Sequence, residues 1–152
     1  MIFRNEKELE HFILKKCQAA IAEAENKIYA EIKSTLAQFY QEFSPDEYIR
    51  TNQLLHSLVK SNIKKVGNGY EAEVYFDAGL LNYEKDHVLR QSGWYGSASW
   101  DGGTVLEVAM EGGLPHGGYA SGTPVWTISK EKLGDIWKLL EQKLRAQGIP
   151  IK

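Results

Sequence analysis

The chain has 152 residues, of which 43% are hydrophobic and 25% are charged. This length and composition predict one globular domain with an apolar core. Lys and Arg number 18 against 20 Asp and Glu, and the net charge of −2 argues against non-specific nucleic-acid binding as the main task. The single cysteine, Cys17, excludes an internal disulfide framework and a cysteine-based zinc site. No apolar run approaches the roughly 20 residues that span a bilayer, and the N-terminus lacks the apolar centre of a signal peptide, so we expect an intracellular protein.

Glycine use divides the chain into three parts. None of the 14 glycines precedes Gly67, and twelve of them lie between Gly67 and Gly122. Backbone freedom of that density is typical of turns and loops rather than of long helices. We therefore predict a single α+β domain over residues 1–152, in which a long N-terminal helix and a C-terminal amphipathic helix pack on a small antiparallel sheet.

The first predicted helix covers residues 1–43. Its start carries a capping-box pattern, in which Asn5 is the N-cap residue and Glu8 reaches back. Apolar residues then recur close to the helical period, and these are Leu9, Ile13, Cys17, Ala20, Ala24, Ile28, Ile32, Leu36, Phe39 and Phe43. From its cap at Asn5 to Phe43, such a helix measures roughly 58 Å, whereas a compact domain of this size has a radius of gyration of about 15 Å. We expect the helix to kink or to project, and a projecting apolar stripe needs another chain to cover it.

A second helix is predicted over residues 45–58. Ser44 is placed as its N-cap and Pro45 as its first residue, a position where the N–H that proline lacks is not needed. Phe43 and Tyr48 then occupy the two positions of a hydrophobic staple. The apolar side of this helix consists of Tyr48, Leu54, Leu55 and Leu58.

Residues 61–76 are predicted to form a β-hairpin. Apolar residues alternate with more polar ones along its second strand, at Tyr70, Ala72, Val74 and Phe76. The Asn-Gly dipeptide at 68–69 is a strong signal for a two-residue hairpin turn. A turn there pairs Ile63 with Val74 and Lys64 with Glu73, which sets apolar against apolar and cation against anion.

A C-terminal helix is predicted over residues 129–147. Ser129 is its expected N-cap, and Gly148 with the proline two residues further on supplies the stop. The apolar face consists of Leu133, Ile136, Trp137, Leu140 and Leu144. We expect Trp126 and Trp137 to lie in the core.

The glycine-rich region 77–122 is predicted to be irregular, although 104–111 fits either a short helix or a strand. Its histidine, His116, lies between glycine pairs that would let the backbone approach a ligand. A small hydrolase would use His116 with Asp101 or Glu107. A general base also needs an orienting carboxylate and a nearby nucleophile, and neither is specified locally. We therefore predict no catalytic residue, no cofactor and no metal site.

Two other clusters bear on partners. Trp94 and Trp100 lie among glycines and serines, where they either anchor another protein or pack under loops. Lys60, Lys64 and Lys65 form a small basic cluster near two tyrosines, which suggests a nucleic-acid platform. Interleaved glutamates offset that charge, so an ordinary charged hairpin surface is the favoured interpretation, without specific nucleic-acid binding.

The stretch 39–57 has the sequence FYQEFSPDEYIRTNQLLHS. It resembles the small minor structural proteins encoded in the head–tail morphogenesis clusters of long-tailed bacteriophages and prophages. These are described as tail components or tail-completion proteins. The residues that carry the resemblance are Tyr40, Pro45, Tyr48, Arg50, Thr51, Leu54, Leu55 and Ser57, with a similar glycine-rich segment at Gly112, Gly113, His116 and Gly117.

This resemblance implies a non-enzymatic structural protein that joins head to tail or completes the tail by self-assembly and docking. The implied partners are phage head–tail connector and tail proteins and further copies of the chain in a ring, with no membrane. The implied location is the bacterial cytoplasm during assembly and then the virion. The interface candidates are Tyr48, Arg50, Thr51, Trp94, Trp100 and His116. A small hydrolase built on His116 and a bacterial protein-binding module are the alternatives.

Overall fold

A computed structural model describes residues 3–42, 52–81 and 125–151. The fold of these ranges is α+β, as predicted. The helices are α1 (Glu6–Glu42), α2 (Gln53–Ser57), α3 (Val125–Leu133) and α4 (Ile136–Ala146), with a short 3₁₀ helix at Ala78–Leu80. The strands are β1 (Leu58–Lys60), β2 (Lys64–Val66), β3 (Gly69–Glu71) and β4 (Val74–Phe76), which form two two-stranded sheets, β1–β4 and β2–β3.

Helix α1 is a single α-helix of 37 residues, which corresponds to about 55 Å of helix axis. It begins at the predicted cap, because Asn5 Oδ1 accepts a hydrogen bond from the Glu8 N–H at 2.9 Å. The Glu8 carboxylate reaches back one residue further than expected and accepts from the Arg4 N–H at 2.9 Å. The Glu8 N–H is one of the backbone donors that the first helical turn leaves without an intrahelical partner, and the Arg4 contact ties the residue before the cap to the helix.

The second predicted helix is shorter than expected. Asn52 has φ 55° and ψ 20°, a left-handed conformation that interrupts an α-helix, so the prediction of a continuous helix over 45–58 is wrong. Helix α2 occupies only Gln53–Ser57, and Leu58 already belongs to strand β1. The Ser57 hydroxyl donates to the Leu54 carbonyl at 2.8 Å, which satisfies one acceptor at the end of this helix. The predicted cap at Ser44 lies outside the described residues.

The hairpin forms, but its register differs from the predicted one. The observed pairs are Lys64 with Glu71, Lys65 with Tyr70, and Val66 with Gly69. The turn is therefore Gly67-Asn68, and the prediction of a turn at 68–69 is wrong. Gly67 has φ +57°, and a tight hairpin turn needs positive φ at its first central position, where glycine carries no steric cost.

A β-bulge separates the two sheets. The Ser61 N–H donates to the Glu73 carbonyl at 2.8 Å, and the Ser61 hydroxyl accepts from the Glu73 N–H at 2.9 Å. Because the β2–β3 pairing begins at Lys64, residues 62–63 stand opposite Ala72 alone, which is the two-against-one arrangement of a bulge. The predicted pairing of Ile63 with Val74 and of Lys64 with Glu73 is thereby displaced.

The predicted helix over 129–147 is divided in two. Gly134 has φ +66° and separates α3 from α4. Asp135 caps α4, since its Oδ1 accepts from the Trp137 N–H at 2.9 Å and the Lys138 N–H at 3.4 Å. Ser129 is buried within α3 and is not a cap, because the helix begins four residues earlier than predicted.

The predicted stop of the last helix is confirmed. Gly148 has φ +82°. Its N–H donates to the Arg145 carbonyl at 2.9 Å, and the Ile149 N–H donates to the Leu144 carbonyl at 3.1 Å. These two bonds form a Schellman motif, in which glycine takes the left-handed position after the helix.

The chain forms two compact units. Unit 1 comprises Met1–Ala30, Lys60–Val74 and Leu133–Lys152, and unit 2 comprises Glu31–Val59 and Tyr75–Lys132. Among the described residues, Ala20 and Ala24 are buried in unit 1, and the buried apolar residues of unit 2 are Ile32, Leu36, Leu54, Leu58, Leu81 and Val125. The single-domain expectation stays a prediction.

Candidate interaction surfaces

The interface candidates taken from the sequence lie outside the described residues. They are Tyr48, Arg50, Thr51, Trp94, Trp100 and His116. Asp101 and Glu107, the carboxylates of the hydrolase alternative, also lie outside them. The exposed surfaces of the described residues are therefore different ones, and the three that follow lie in unit 1.

Helix α4 exposes much of its apolar face. The exposed fraction is 79% for Trp137 and 46% for Ile136, and no residue of α4 is buried. The prediction that Trp137 and Trp126 lie in the core is wrong, because Trp126 is also 41% exposed. Trp137 and Ile136 together leave apolar surface in water, which makes the start of α4 a candidate site of contact with another molecule.

Polar contacts fix the C-terminal half of α4 against α1. Gln147 Nε2 donates to Glu23 Oε1 at 2.7 Å, and Lys143 Nζ lies 3.4 Å from Glu23 Oε2. Lys16 Nζ also lies 3.5 Å from Gln147 Oε1. Trp137 is in the first turn of α4, two to three turns away from these contacts, so its indole remains exposed.

An ion pair continues the exposed side of α4 beyond Trp137. Residues four apart lie one above another on a helix, and Glu141 and Arg145 follow Trp137 at this spacing. Arg145 Nη2 is 2.6 Å from Glu141 Oε1, with exposed side-chain fractions of 58% and 40%. Arg145 also donates to the Ile151 carbonyl at 3.3 Å. We call Trp137, Glu141 and Arg145 the Trp137 face.

The sequence contained a signal for this face that the prediction missed. Gly134-Asp135 combines a residue suited to a helix end with a residue suited to an N-cap. Taken together they place a new helix start at Ile136. Trp137 then falls in the first turn of that helix.

The apolar stripe of α1 is covered along part of its length. Ala20 and Ala24 are buried, whereas Leu9 and Ile13 are 39% and 40% exposed. The chain therefore covers the middle of the stripe itself, and the expectation that another chain covers a projecting part stays a prediction for the exposed N-terminal turns. The N-terminal turns remain a second exposed apolar surface of unit 1.

The tip of the hairpin is a third exposed surface. Val66 is 55% exposed, since it faces Gly69, which has no side chain to cover it. Lys64 and Lys65 are exposed beside it. The third lysine of the predicted basic cluster, Lys60, instead donates to the Asn26 side chain.

The described part of the chain contains neither a group of metal-binding side chains nor a helix suited to a membrane. No three His, Cys, Asp or Glu side chains within residues 3–42, 52–81 and 125–151 are grouped so that they could hold a metal ion. Among the described helices, none has the length and apolar character needed to cross a lipid bilayer.

The described elements define an α+β protein with exposed apolar side chains on α1, α3, α4 and the hairpin. Comparison with known families makes the assignment more specific: the family model YomN matches residues 5–146, so the chain belongs to the YomN family. YomN is a name associated with Bacillus phages and prophages, and the protein is accordingly phage-related. No curated protein and no solved structure matches the chain.

Proposed function

We propose that this chain is a non-enzymatic structural protein of a phage or prophage particle, where it joins head to tail or completes the tail. The observation that carries the proposal is membership of a phage-related family over nearly the whole chain, residues 5–146. The resemblance of residues 39–57 to tail-completion proteins supplies the finer role. Its partners are then connector and tail proteins and further copies of itself, first in the bacterial cytoplasm and afterwards in the virion.

The exposed apolar surfaces support a role in assembly. Leu9, Ile13, Val66 and Trp137 each expose more than a third of their surface. A small protein whose task is docking has to display such side chains, because burial of apolar area between chains drives association. Copies that bind head-to-tail with a closing rotation form a ring.

The test is genetic and structural. A stop codon early in the gene of the inducible prophage should give filled heads and separate tails by electron microscopy. Supplying the intact chain from a plasmid should restore complete particles that contain it. Normal infectious particles from the stop-codon prophage, or restored particles that lack the chain, would remove the proposal.

Arg50 offers a residue-level version of the same test. If Arg50 is an interface residue, Arg50→Ala should reduce complementation of the stop-codon prophage while the free energy of unfolding of the purified chain stays the same. Lys15→Ala, a substitution of an exposed cation on α1, is the matched control for charge removal. Equal loss of stability and of complementation would make Arg50 a residue of the fold instead.

A further inference from the structure

We propose that the Trp137 face binds the same face of a second copy of this chain, in a two-fold dimer of antiparallel α4 helices. The proposal concerns the free protein. It differs from the ring of the proposed function, because a two-fold contact uses the same patch on both subunits and closes on itself.

The first observation is the exposure of the Trp137 side chain. Its exposed fraction of 79% leaves the indole face open. The favoured neighbour of an exposed indole is a cation over the ring, most often a guanidinium. This chain already uses such a pair elsewhere, because Lys130 Nζ lies 5.1 Å from the ring centroid of Trp126 in unit 2.

The second observation is that α4 itself carries the matching cation. The Arg145 side chain is 58% exposed, and its guanidinium is oriented by Glu141 Oε1 at 2.6 Å and by the Ile151 carbonyl at 3.3 Å. The guanidinium is planar, so one held in this way can stack on an indole and keep its ion pair. Little side-chain freedom remains to be lost on binding.

The third observation is the spacing. Trp137 and Arg145 are eight residues apart, about 12 Å along the helix axis, and Glu141 lies midway between them. When two α4 helices run antiparallel with Glu141 of each at the two-fold axis, Trp137 of one copy lies opposite Arg145 of the second copy. The same contact recurs at the other end, so the face is complementary to itself.

The charges around the axis are also complementary. Each Glu141 carboxylate is neutralised by Arg145 of its own helix. Lys138 lies one turn before Glu141 and is exposed. In the antiparallel pair, Lys138 therefore lies about one turn along the axis from Glu141 of the second copy. The cation and the carboxylate attract each other across the contact. The Trp137 face, with Lys138 beside it, thus presents an aromatic ring, two cations and one anion in an order that is complementary to the same order reversed.

The size of the face sets the expected strength. The face extends about one helical turn on each side of the axis, and the area that it can bury is far below that of a standard stable interface. We therefore expect a reversible dimer with a dissociation constant of about 1–100 µM. Sedimentation equilibrium of the full purified chain across that concentration range measures it.

Substitutions locate the contact. Trp137→Ala and Arg145→Ala should each raise the dissociation constant at least about tenfold. The double variant should dimerise no more weakly than the more impaired of the two single variants, because both substitutions remove the same contact. Trp126→Ala, which removes an exposed tryptophan outside the face, should leave the dimer unchanged.

Cross-linking tests the two-fold geometry. In a Cys17→Ala background, Glu141→Cys should form a disulfide-linked dimer on mild oxidation, because the two residues meet at the axis. Gln142→Cys, one residue further around the helix, is the control and should cross-link poorly. Equal cross-linking of both variants would overturn the antiparallel arrangement.

The remaining outcomes separate this inference from the proposed function. A chain that is monomeric at about 100 µM, or a dimer that is indifferent to Trp137→Ala, overturns the inference. If the chain is nevertheless found in particles and Trp137 becomes protected only there, the face belongs to another virion protein. Neither result bears on the stop-codon test of the virion role.

Discussion

Gln147 and Glu23 are 124 positions apart in the chain, and the Gln147 side-chain amide donates to Glu23 Oε1 at 2.7 Å. The other oxygen of the same carboxylate, Oε2, lies 3.4 Å from Lys143 Nζ. One carboxylate in the middle of α1 therefore contacts two side chains from the C-terminal end of α4. Since Gln147 is the C-cap residue of α4, the contact fixes the end of that helix in unit 1.

Glu23→Ala is expected to destabilise the protein by about 1–2 kcal/mol, because it removes one hydrogen bond to a charged group and a half-exposed ion pair. Glu23→Gln keeps an acceptor for Gln147 and loses only the charge, so its effect should be smaller. Urea unfolding measures both. Glu10→Ala, at an exposed site of the same helix, controls for helix propensity, and a cost as large there would contradict the assignment.

Thr35 provides a prediction in unit 2. Its side chain is 2% exposed, and its hydroxyl donates to the Glu31 carbonyl at 3.0 Å and accepts from Lys132 Nζ at 3.4 Å. Thr35→Val keeps the shape and removes the hydroxyl, so we expect a loss of about 1 kcal/mol in the free energy of unfolding. Ser34→Ala, at the exposed neighbouring position, should change it little. An unchanged midpoint for Thr35→Val would mean that the buried hydroxyl contributes nothing.

Asp135 starts α4, and its removal should be visible in stability. Asp135→Ala leaves the N–H groups of Trp137 and Lys138 without their acceptor, and loss of an N-cap costs about 0.5–2 kcal/mol. Asp135→Asn retains a capping oxygen and should stay near the stability of the unsubstituted chain. Thermal unfolding by circular dichroism distinguishes the two. If Asp135→Ala and Asp135→Asn lose the same stability, the effect comes from the charge of Asp135 and not from its capping hydrogen bonds.

Local chemistry explains which parts of the fold the sequence predicts. The cap at Asn5 and the stop at Gly148 depend on residues within one turn of each other, and both form as predicted. A backbone N–H at a helix end needs an acceptor whatever the rest of the chain does. Such features are readable because their partners are neighbours in sequence.

The hairpin shows where local chemistry is insufficient. The Asn-Gly signal at 68–69 competes with Gly-Asn at 67–68, and both dipeptides allow a tight turn. The choice depends on the bulge opposite Ala72. It shifts the cross-strand register by one residue between the Ser61–Glu73 pair and the Lys64–Glu71 pair. A bulge of this kind is set by the packing of both sheets and has no signature within the turn itself.

The candidate surface was less predictable than the fold. Periodicity correctly assigns Trp137 to the apolar face of a helix, yet it does not say how much of that face another element covers. Coverage depends on where α4 ends against α1, which the Glu23–Gln147 contact decides. The exposed Trp137 face is consequently a property of tertiary packing, and the residues predicted as interface from the sequence resemblance are different ones.

Gly67 provides a test of the observed turn. Its φ of +57° is unfavourable for any residue with a Cβ, although a Cβ there would meet no atom within 4 Å. Gly67→Ala should therefore cost about 1–2 kcal/mol through the backbone alone. Gly69→Ala is the matched control, because its Cβ would meet only the Val66 carbonyl oxygen at an ordinary 3.8 Å. A larger cost at Gly69 than at Gly67 would favour the 68–69 turn.

Glu25 leads to the one substitution that we expect to stabilise the protein. It is 7% exposed, and its Oε1 has no hydrogen-bond partner in the described structure. A buried carboxylate oxygen that has left water without gaining a donor opposes folding. Glu25→Met keeps most of the side-chain volume and removes both oxygens, so the free energy of unfolding should rise by about 1 kcal/mol or more.

Two further variants show whether the burial of Glu25 is the cause. Glu25→Gln removes the charge and keeps a polar end that needs partners, so its gain should be smaller than that of Glu25→Met. Glu10→Met makes the same exchange at an exposed position of α1 and should be close to neutral, because its carboxylate stays hydrated. Urea unfolding of the three variants ranks them directly. Destabilisation by Glu25→Met would mean that the carboxylate has a stabilising partner, and the buried oxygen would then be part of a paired site rather than a cost to the fold.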